Sequence, residues 1–222
     1  MESNSGEVLF DICHVSHTFE TEEGKTFDAL KDVTAQIKKG EFTAIIGTNG
    51  SGKSTLARHL NALLIPTEGE LIVEGMRTSD AGRVWDIRQK VGMVFQNPSA
   101  ALNPVMTVAQ QVGLPLYLHY DLSLAERSER VTAVLAKVGL GEDVLVKYPH
   151  ELSGGQRQRV GIATALVTSP RLIIADEPTT ALDSITQRQI VDLLTSLVDE
   201  SGASMLFITH DFAVLNLSLI HI

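Results

Sequence analysis

A glycine-rich segment between a predicted strand and a predicted helix constrains the fold of this chain more than any other feature. Residues 47–54 read GTNGSGKS and fit the pattern G-x-x-x-x-G-K-[ST]. The apolar run FTAII (42–46) precedes them, and residues 53–64 have helical apolar spacing. Glycines let successive backbone N–H groups turn inward, and a helix N-terminus carries about half a positive charge, so the segment predicts a phosphate-binding loop rather than a plain turn. The predicted nucleotide-binding residues are Gly47, Thr48, Asn49, Gly50, Ser51, Gly52, Lys53, Ser54 and Thr55.

Two adjacent acidic residues end another apolar run, RLIIAD (171–176). In sheets of this kind ligands bind at the carboxyl ends of strands, so Asp176 and Glu177 are expected near the phosphate loop. We predict that Lys53 reaches the β- and γ-phosphates of ATP and that the Ser54 hydroxyl ligates Mg²⁺. Asp176 is expected in the Mg²⁺ shell through water, and Glu177 is expected to be the general base for the attacking water.

The order of predicted elements indicates an α/β fold. Short strands and helices alternate along the chain, which favours a mainly parallel sheet with helices on its faces. Residues 97–168 are mostly helical and read as an insertion. Within them Ser123 and Glu126 have capping-box spacing, as do Ser184 and Gln187 before a later helix.

Composition argues against some classes of partner and location. The net charge is −9, and no block of Lys or Arg occurs, which weighs against binding of nucleic acid. The single cysteine, Cys13, has no partner for an internal disulfide, so a reducing compartment is expected. The chain begins without a signal-peptide pattern, and no apolar run reaches the roughly 18 to 20 residues that span a bilayer. We therefore expect a soluble protein, and docking on a membrane protein stays open at this point.

A second glycine-rich run, LSGGQ (152–156), lies about a hundred residues after the first. Together with GTNGSGKST, LIIADE and ALD (181–183), it gives the chain a close resemblance to the ATP-binding subunits of ABC transporters. Gln96 in VFQNP resembles that family's Q-loop glutamine, and His210 in ITHD resembles its switch histidine. Phe19 lies where the family has an aromatic residue that stacks on adenine; a core position is the alternative.

The resemblance implies a P-loop NTPase fold of the ABC ATPase type, with an antiparallel β subdomain and an inserted helical subdomain. It implies one domain, 1–222, with a RecA-like core over about 8–96 and 169–215 and a helical signature subdomain over about 97–168. Gln96 joins Ser54 and Asp176 as a metal ligand, and His210 joins Glu177 and Lys53 in catalysis. Further nucleotide contacts are implied at Phe19, Gln96, Ser153, Gly154, Gly155, Gln156 and Asp183.

The same resemblance implies a second ATPase subunit packed head to tail, so that the LSGGQ run of one chain meets the ATP on the other. It also implies integral membrane subunits and a place on the cytoplasmic face of the cell membrane. The part up to GMVFQNP is most similar to ATPases of energy-coupling-factor importers, for vitamins or metal ions. The part from SAALNPVMTV onward is more similar to ATPases of dipeptide and oligopeptide importers.

We take the energy-coupling-factor type as the first interpretation and the peptide type as its alternative. A soluble ABC ATPase outside transport is a third, although its long coiled coil is missing between residues 55 and 152. An unrelated P-loop kinase would have no use for LSGGQ. The family continues with further strands after THDFAVL, so the end NLSLIHI suggests a truncation or a non-native tail.

Overall fold

The computed structural model describes residues 6–180 and 182–211; Ala181, the NLSLIHI end and the predicted core boundary at 215 lie outside them. Over that range the chain forms eight strands and seven helices, besides two short 3-10 turns at Glu142–Val144 and Pro149–Glu151. In chain order the elements are β1 (Val8–Glu20), β2 (Thr26–Lys38), β3 (Phe42–Ile46), α1 (Lys53–Leu60), β4 (Glu68–Val73), β5 (Met76–Arg77), α2 (Val84–Lys90), β6 (Val91–Val94), α3 (Pro98–Ala101), α4 (Val108–His119), α5 (Leu124–Lys137), α6 (Gly154–Leu166), β7 (Leu172–Asp176), α7 (Ser184–Ser201) and β8 (Ser204–Thr209).

The strands form two sheets. One is antiparallel with the order β2-β1-β4-β5, and the other is parallel with the order β3-β8-β7-β6. The parallel sheet is the α/β core that the alternating pattern predicts, and the antiparallel sheet is the β subdomain that the resemblance implies. The predicted fold class is therefore confirmed.

Strands β7 and β8 are buried on both faces, which is why they read as continuous apolar runs. Successive side chains point to opposite faces, so each strand contributes to two hydrophobic clusters. Full burial of each such side chain contributes about 1.5–3 kcal/mol. Leu172, Ile174, Leu206 and Ile208 pack with α1 and the antiparallel sheet, whereas Ile173, Ala175, Met205 and Phe207 pack with α4 to α7.

The inserted helices begin where the sequence places capping residues. Ser123 and Glu126 form the predicted capping box before α5, and Thr107 with Gln110 forms another before α4. The segment from α3 to α6 lies between β6 and β7 in the chain and shares one hydrophobic cluster with a face of the parallel sheet. No helix among residues 6–180 and 182–211 is long and apolar enough to cross a membrane.

Two local predictions differ from the structure. Helix α7 is capped by Asp183, whose carboxylate accepts from the N–H groups of Ile185 and Thr186, so the predicted Ser184–Gln187 pair is one residue out of register. A charged acceptor binds the free N–H groups at a helix start more strongly than a hydroxyl does. Helix α1 ends at Leu60 rather than near residue 64, and Ala62 has the left-handed φ of 54°.

Candidate active site

The phosphate loop joins β3 to α1 and has the form that its glycines permit. Gly52 has a φ of 91°, and a Cβ there would lie 2.3 Å from the carbonyl oxygen of Ala29, so only glycine fits. The buried Lys53 side chain donates from Nζ to the carbonyl oxygens of Gly47 and Thr48, both at 2.8 Å. The ammonium group is therefore held inside the loop, where a phosphate oxygen would be a stronger partner than a carbonyl.

A cavity of about 210 Å³ opens in front of this loop. Residues 49–55 line one side, and Gln96 and Glu177 line the other. Gln96 follows β6 and Glu177 follows β7, so the cavity lies at the carboxyl ends of parallel strands, where sheets of this kind bind ligands.

Ser54 and Asp176 meet beside the cavity. The Ser54 hydroxyl donates to Asp176 Oδ1 at 3.0 Å, although the two residues are 122 positions apart. Burial raises the pKa of Asp176, and the neighbouring Glu177 raises it further, against the lowering effect of the Ser54 hydrogen bond. A hydroxyl and a carboxylate are the hard oxygen ligands that Mg²⁺ prefers, and a cation would relieve the cost of the buried charge, so this pair fits the predicted metal site.

Three side chains converge on the carboxylate of Glu177. Gln96 Nε2 and Thr180 Oγ1 donate to Oε2 at 2.9 and 3.0 Å, and His210 Nδ1 lies 3.1 Å from Oε1. Because the carboxylate accepts, we place the proton of a neutral His210 on Nδ1. Glu177 is buried and has a left-handed φ of 47°, a strained conformation fixed by its N–H bond to Ile208. The arrangement orients one carboxylate towards the cavity.

Thr180 is a member of this site that the sequence analysis missed. Its N–H also donates to the carbonyl oxygen of Glu177, at 3.1 Å, so the turn after β7 brings its hydroxyl back to the acid. A threonine three positions after a strand-end acid is a signal for such a turn.

Gln96 lies in the site in an orientation that the sequence did not anticipate. Its amide nitrogen contacts Glu177, which leaves the amide oxygen as the end able to ligate a metal. The metal role of Gln96 stays a prediction.

Residues 153–156 of the LSGGQ run line a different cavity, of about 390 Å³. Ser153 caps α6: its hydroxyl accepts from the Gln156 N–H at 3.2 Å, and Gln156 Oε1 accepts from the Ser153 N–H at 2.9 Å. Gln156 is thus engaged in the cap, while the N–H groups of Gly154 and Gly155 are among those that a helix start leaves without an intrahelical partner. Asp183 lines the same cavity, and its hydrogen bonds with Thr186 hold its pKa below the usual range.

The two cavities share no lining residue. The structure therefore brings together Lys53, Ser54, Gln96, Asp176, Glu177 and His210, and separately Ser153, Gly154, Gly155, Gln156 and Asp183. Phe19 lines neither cavity. It is half-buried on β1, with its ring between His17 and Phe27.

Comparison with known proteins gives one family. A family model described as ABC transporter matches residues 30–180. The oligopeptide transport ATP-binding protein OppF of Haemophilus influenzae is 42% identical over 223 residues, which cover 96% of this chain and 67% of that protein. The energy-coupling factor transporter ATP-binding protein EcfA1 of Caldanaerobacter subterraneus subsp. tengcongensis is 43% identical over 197 residues, covering 89% and 70%.

Solved structures agree with the sequence relatives. The ATP-binding cassette MJ0796, in a dimeric post-hydrolysis state bound to ADP and Pi, matches with a TM-score of 0.84 and 39% identity. The match covers 94% of this chain and 90% of that one.

The relatives also bear on the importer type. Others named as oligopeptide or dipeptide transport ATP-binding proteins are 40% to 43% identical to this chain. The chain spans about half to two-thirds of the length of most of these peptide-transport relatives, for instance 65% of OppF from Escherichia coli and 57% of AppF from Bacillus subtilis. The comparisons support the peptide alternative better than the energy-coupling-factor interpretation.

Proposed function

Because the chain belongs to the ABC transporter family, we propose that it is an ATP-binding and ATP-hydrolysing subunit of an importer, of the dipeptide or oligopeptide type. One observation carries the proposal: a strand-end acid, Glu177, faces a phosphate loop and is held by Gln96, Thr180 and His210. That arrangement has the parts that phosphoryl transfer to water requires.

Each residue has a role that follows from its chemistry. Lys53 exchanges its two carbonyl partners for phosphate oxygens, and the N–H groups of residues 49–55 surround the phosphates. Ser54 and Asp176 would hold Mg²⁺, which would neutralise charge on the phosphates. Glu177 orients the attacking water and accepts its proton, and His210 keeps the carboxylate in place.

We propose further that two subunits bind ATP between them. The Gly154 and Gly155 N–H groups at the start of α6 and the helix dipole favour an anion, but their cavity holds neither the Lys53 ammonium nor the Ser54–Asp176 pair. A γ-phosphate presented by a partner chain supplies that anion. The dimeric state of the similar cassette MJ0796 supports this arrangement.

An apolar groove of about 680 Å³ between α4 and α5 is the proposed contact with the membrane subunit. Val105, Leu114, Tyr117, Leu124 and Val146 line it and are all exposed. Contiguous exposed apolar side chains mark interaction sites, and the groove fits the apolar face of a cytoplasmic helix of an integral membrane protein. This contact would hold the protein on the cytoplasmic face of the membrane.

Co-purification from gently solubilised membranes tests the importer type. We expect two homologous permeases to come with the tagged protein, as in a peptide importer. A single small multi-span scaffold with a second ATPase would instead indicate the energy-coupling-factor type, which the identity to EcfA1 keeps as second candidate. Recovery without any membrane protein would contradict transport and favour a soluble ABC ATPase.

A charge in the groove tests the docking surface in the same experiment. Leu114→Glu is expected to abolish recovery of membrane subunits, because burial of a charged carboxylate in an apolar contact is costly. Leu114→Met keeps the apolar character and serves as the matched control. Equal recovery with both variants would contradict the proposed contact.

A further inference from the structure

Two buried histidines join the strand that carries Phe19 to the helix that carries Lys53. His17 lies on β1, two residues before Phe19, and His59 lies near the end of α1. His17 Nδ1 and His59 Nε2 are 3.1 Å apart. The roles proposed above use neither histidine.

The hydrogen-bond partners fix the protons on this pair. His59 Nδ1 lies 2.7 Å from the carbonyl oxygen of Thr55, which can only accept, so Nδ1 of His59 carries a proton. Burial lowers the pKa of His59, against the raising effect of backbone hydrogen bonds to Thr55 and Ile65, which favours the neutral ring and leaves Nε2 as an acceptor for His17. His17 must then donate from Nδ1. The result is a directed chain of hydrogen bonds from His17 through His59 to Thr55, in the first turn of α1.

The His17 ring also fixes the ring of Phe19. Their centroids are 4.5 Å apart at an interplanar angle of 72°, an edge-to-face contact. Phe27 packs on Phe19 at 5.5 Å and 30°. Phe19 is therefore held by a histidine whose own position depends on the helix of the phosphate loop.

We propose that His17 and His59 are positioning residues that set the place of the Phe19 ring relative to the phosphate loop, so that they control affinity for the base of a nucleotide and not for its phosphates. The inference rests on the proposed function, in which ATP binds this loop, together with the predicted stacking of its adenine on Phe19. A polyphosphate without a base would contact the loop alone.

Calorimetric titration with two ligands tests this, each in the presence of Mg²⁺. The probes are ATP and inorganic tripolyphosphate, which keeps the phosphates and lacks the base. His17→Phe keeps a ring beside Phe19 and removes the hydrogen bond to His59. We expect its affinity for ATP to fall by roughly threefold to tenfold, the effect of one lost hydrogen bond, and its affinity for tripolyphosphate to stay unchanged.

Three further variants sharpen the result. His59→Gln keeps an acceptor for His17 and is expected to retain most of the affinity for ATP. His17→Asn keeps the donor but removes the ring that contacts Phe19, so it should show the same selective loss even if His17→Phe does not fold. His14→Asn changes an exposed histidine of the same strand, paired with Asp32, and should alter neither affinity.

Unchanged ATP affinity in both His17 variants would overturn the inference, as would equal losses for ATP and tripolyphosphate. A wild-type protein that binds tripolyphosphate and ATP equally well would overturn it too, since the base would then contribute nothing. If the wild-type protein bound neither ligand, the proposed function itself would fail, and the inference with it.

Discussion

The two glycine-rich segments of this chain differ in what surrounds them. At the first, Lys53, Ser54 and Glu177 line a cavity of about 210 Å³ and Asp176 is bonded to Ser54; we propose them as a cation, two metal ligands and a base. At the second, the N–H groups at the start of α6 face a cavity that contains no such set among its lining residues. The first is equipped for chemistry and the second for binding an anion. This contrast supports the proposal that the chain carries two unlike halves of a site.

The largest effect should come from the base. Glu177→Gln keeps the shape of the side chain and can still accept from Gln96 and Thr180, but it cannot take a proton. We expect the steady-state ATPase rate to fall by at least about a hundredfold, with ATP affinity within a few-fold of the wild type. A rate near that of the wild type would show that another group is the base.

Substitutions in the phosphate loop and in the LSGGQ run should have different effects, one on ATP binding and the other on dimerisation. Lys53→Ala removes a charge-assisted contact and is expected to weaken ATP binding to the monomer by at least about tenfold. Gly154→Glu places a carboxylate where the partner's γ-phosphate is expected, and a Cβ is tolerated at this position because its nearest atom would be 3.9 Å away. This second variant should keep monomer affinity and lose ATP-dependent dimerisation.

Gly154→Gln is the matched control for charge, measured by equilibrium sedimentation with and without ATP. The glutamine side chain has nearly the same size as glutamate but no negative charge. Gly154→Gln should therefore dimerise more readily than Gly154→Glu. Loss of monomer ATP binding in Gly154→Glu would contradict the separation of the two halves.

Thr180 should have a smaller effect on the same chemistry. Thr180→Ala removes one of two donors to Glu177 Oε2, and we expect kcat to fall by roughly threefold to tenfold without a change in KM. Thr180→Ser keeps the hydroxyl and should restore most of the rate. If Thr180→Ser were as slow as Thr180→Ala, the methyl group rather than the hydrogen bond would matter.

The smallest effect concerns stability. Because burial raises the pKa of Asp176 above its unfolded value, stability is lost as the pH rises above that unfolded value, and the loss persists at neutral pH. Asp176→Asn removes the buried charge, so Tm without nucleotide and Mg²⁺ should increase at pH 7.5. The difference in Tm between Asp176→Asn and the wild type should shrink towards pH 4. A Tm of Asp176→Asn below that of the wild type at pH 7.5 would contradict this explanation.

Local patterns in the sequence account for much of this structure. The apolar runs locate β3, β7 and β8, the Ser123–Glu126 spacing locates the start of α5, and the loop motif locates Lys53 and Ser54. Each of these depends on neighbours within a few positions. Contacts between distant segments are a different matter: Gln96 and Glu177 are 81 positions apart, and His17 and His59 are 42 apart.

Such long-range contacts depend on how strands and helices pack, and no spacing rule encodes them. The orientation of the Gln96 amide and the histidine pair therefore emerge only from the structure, whereas the Thr180 hydroxyl on Glu177 is a local contact that its spacing could have indicated. The cap of α7 shows the same limit at short range, because Asp183 and Ser184 are both acceptable caps by sequence and geometry decides between them.

The most direct test of the proposal that two chains share each ATP site is an experiment that mixes two variants of this chain. Lys53→Ala and Gly154→Glu should each be inactive alone, because each lacks one half of every composite site. At a protein concentration high enough to pair the chains at random, half of the dimers in an equal mixture are mixed and each holds one intact site of two, so we predict about one quarter of the wild-type ATPase rate. If the mixture stays inactive while the wild-type chain hydrolyses ATP under the same conditions, the two glycine-rich segments do not complete one another across a dimer.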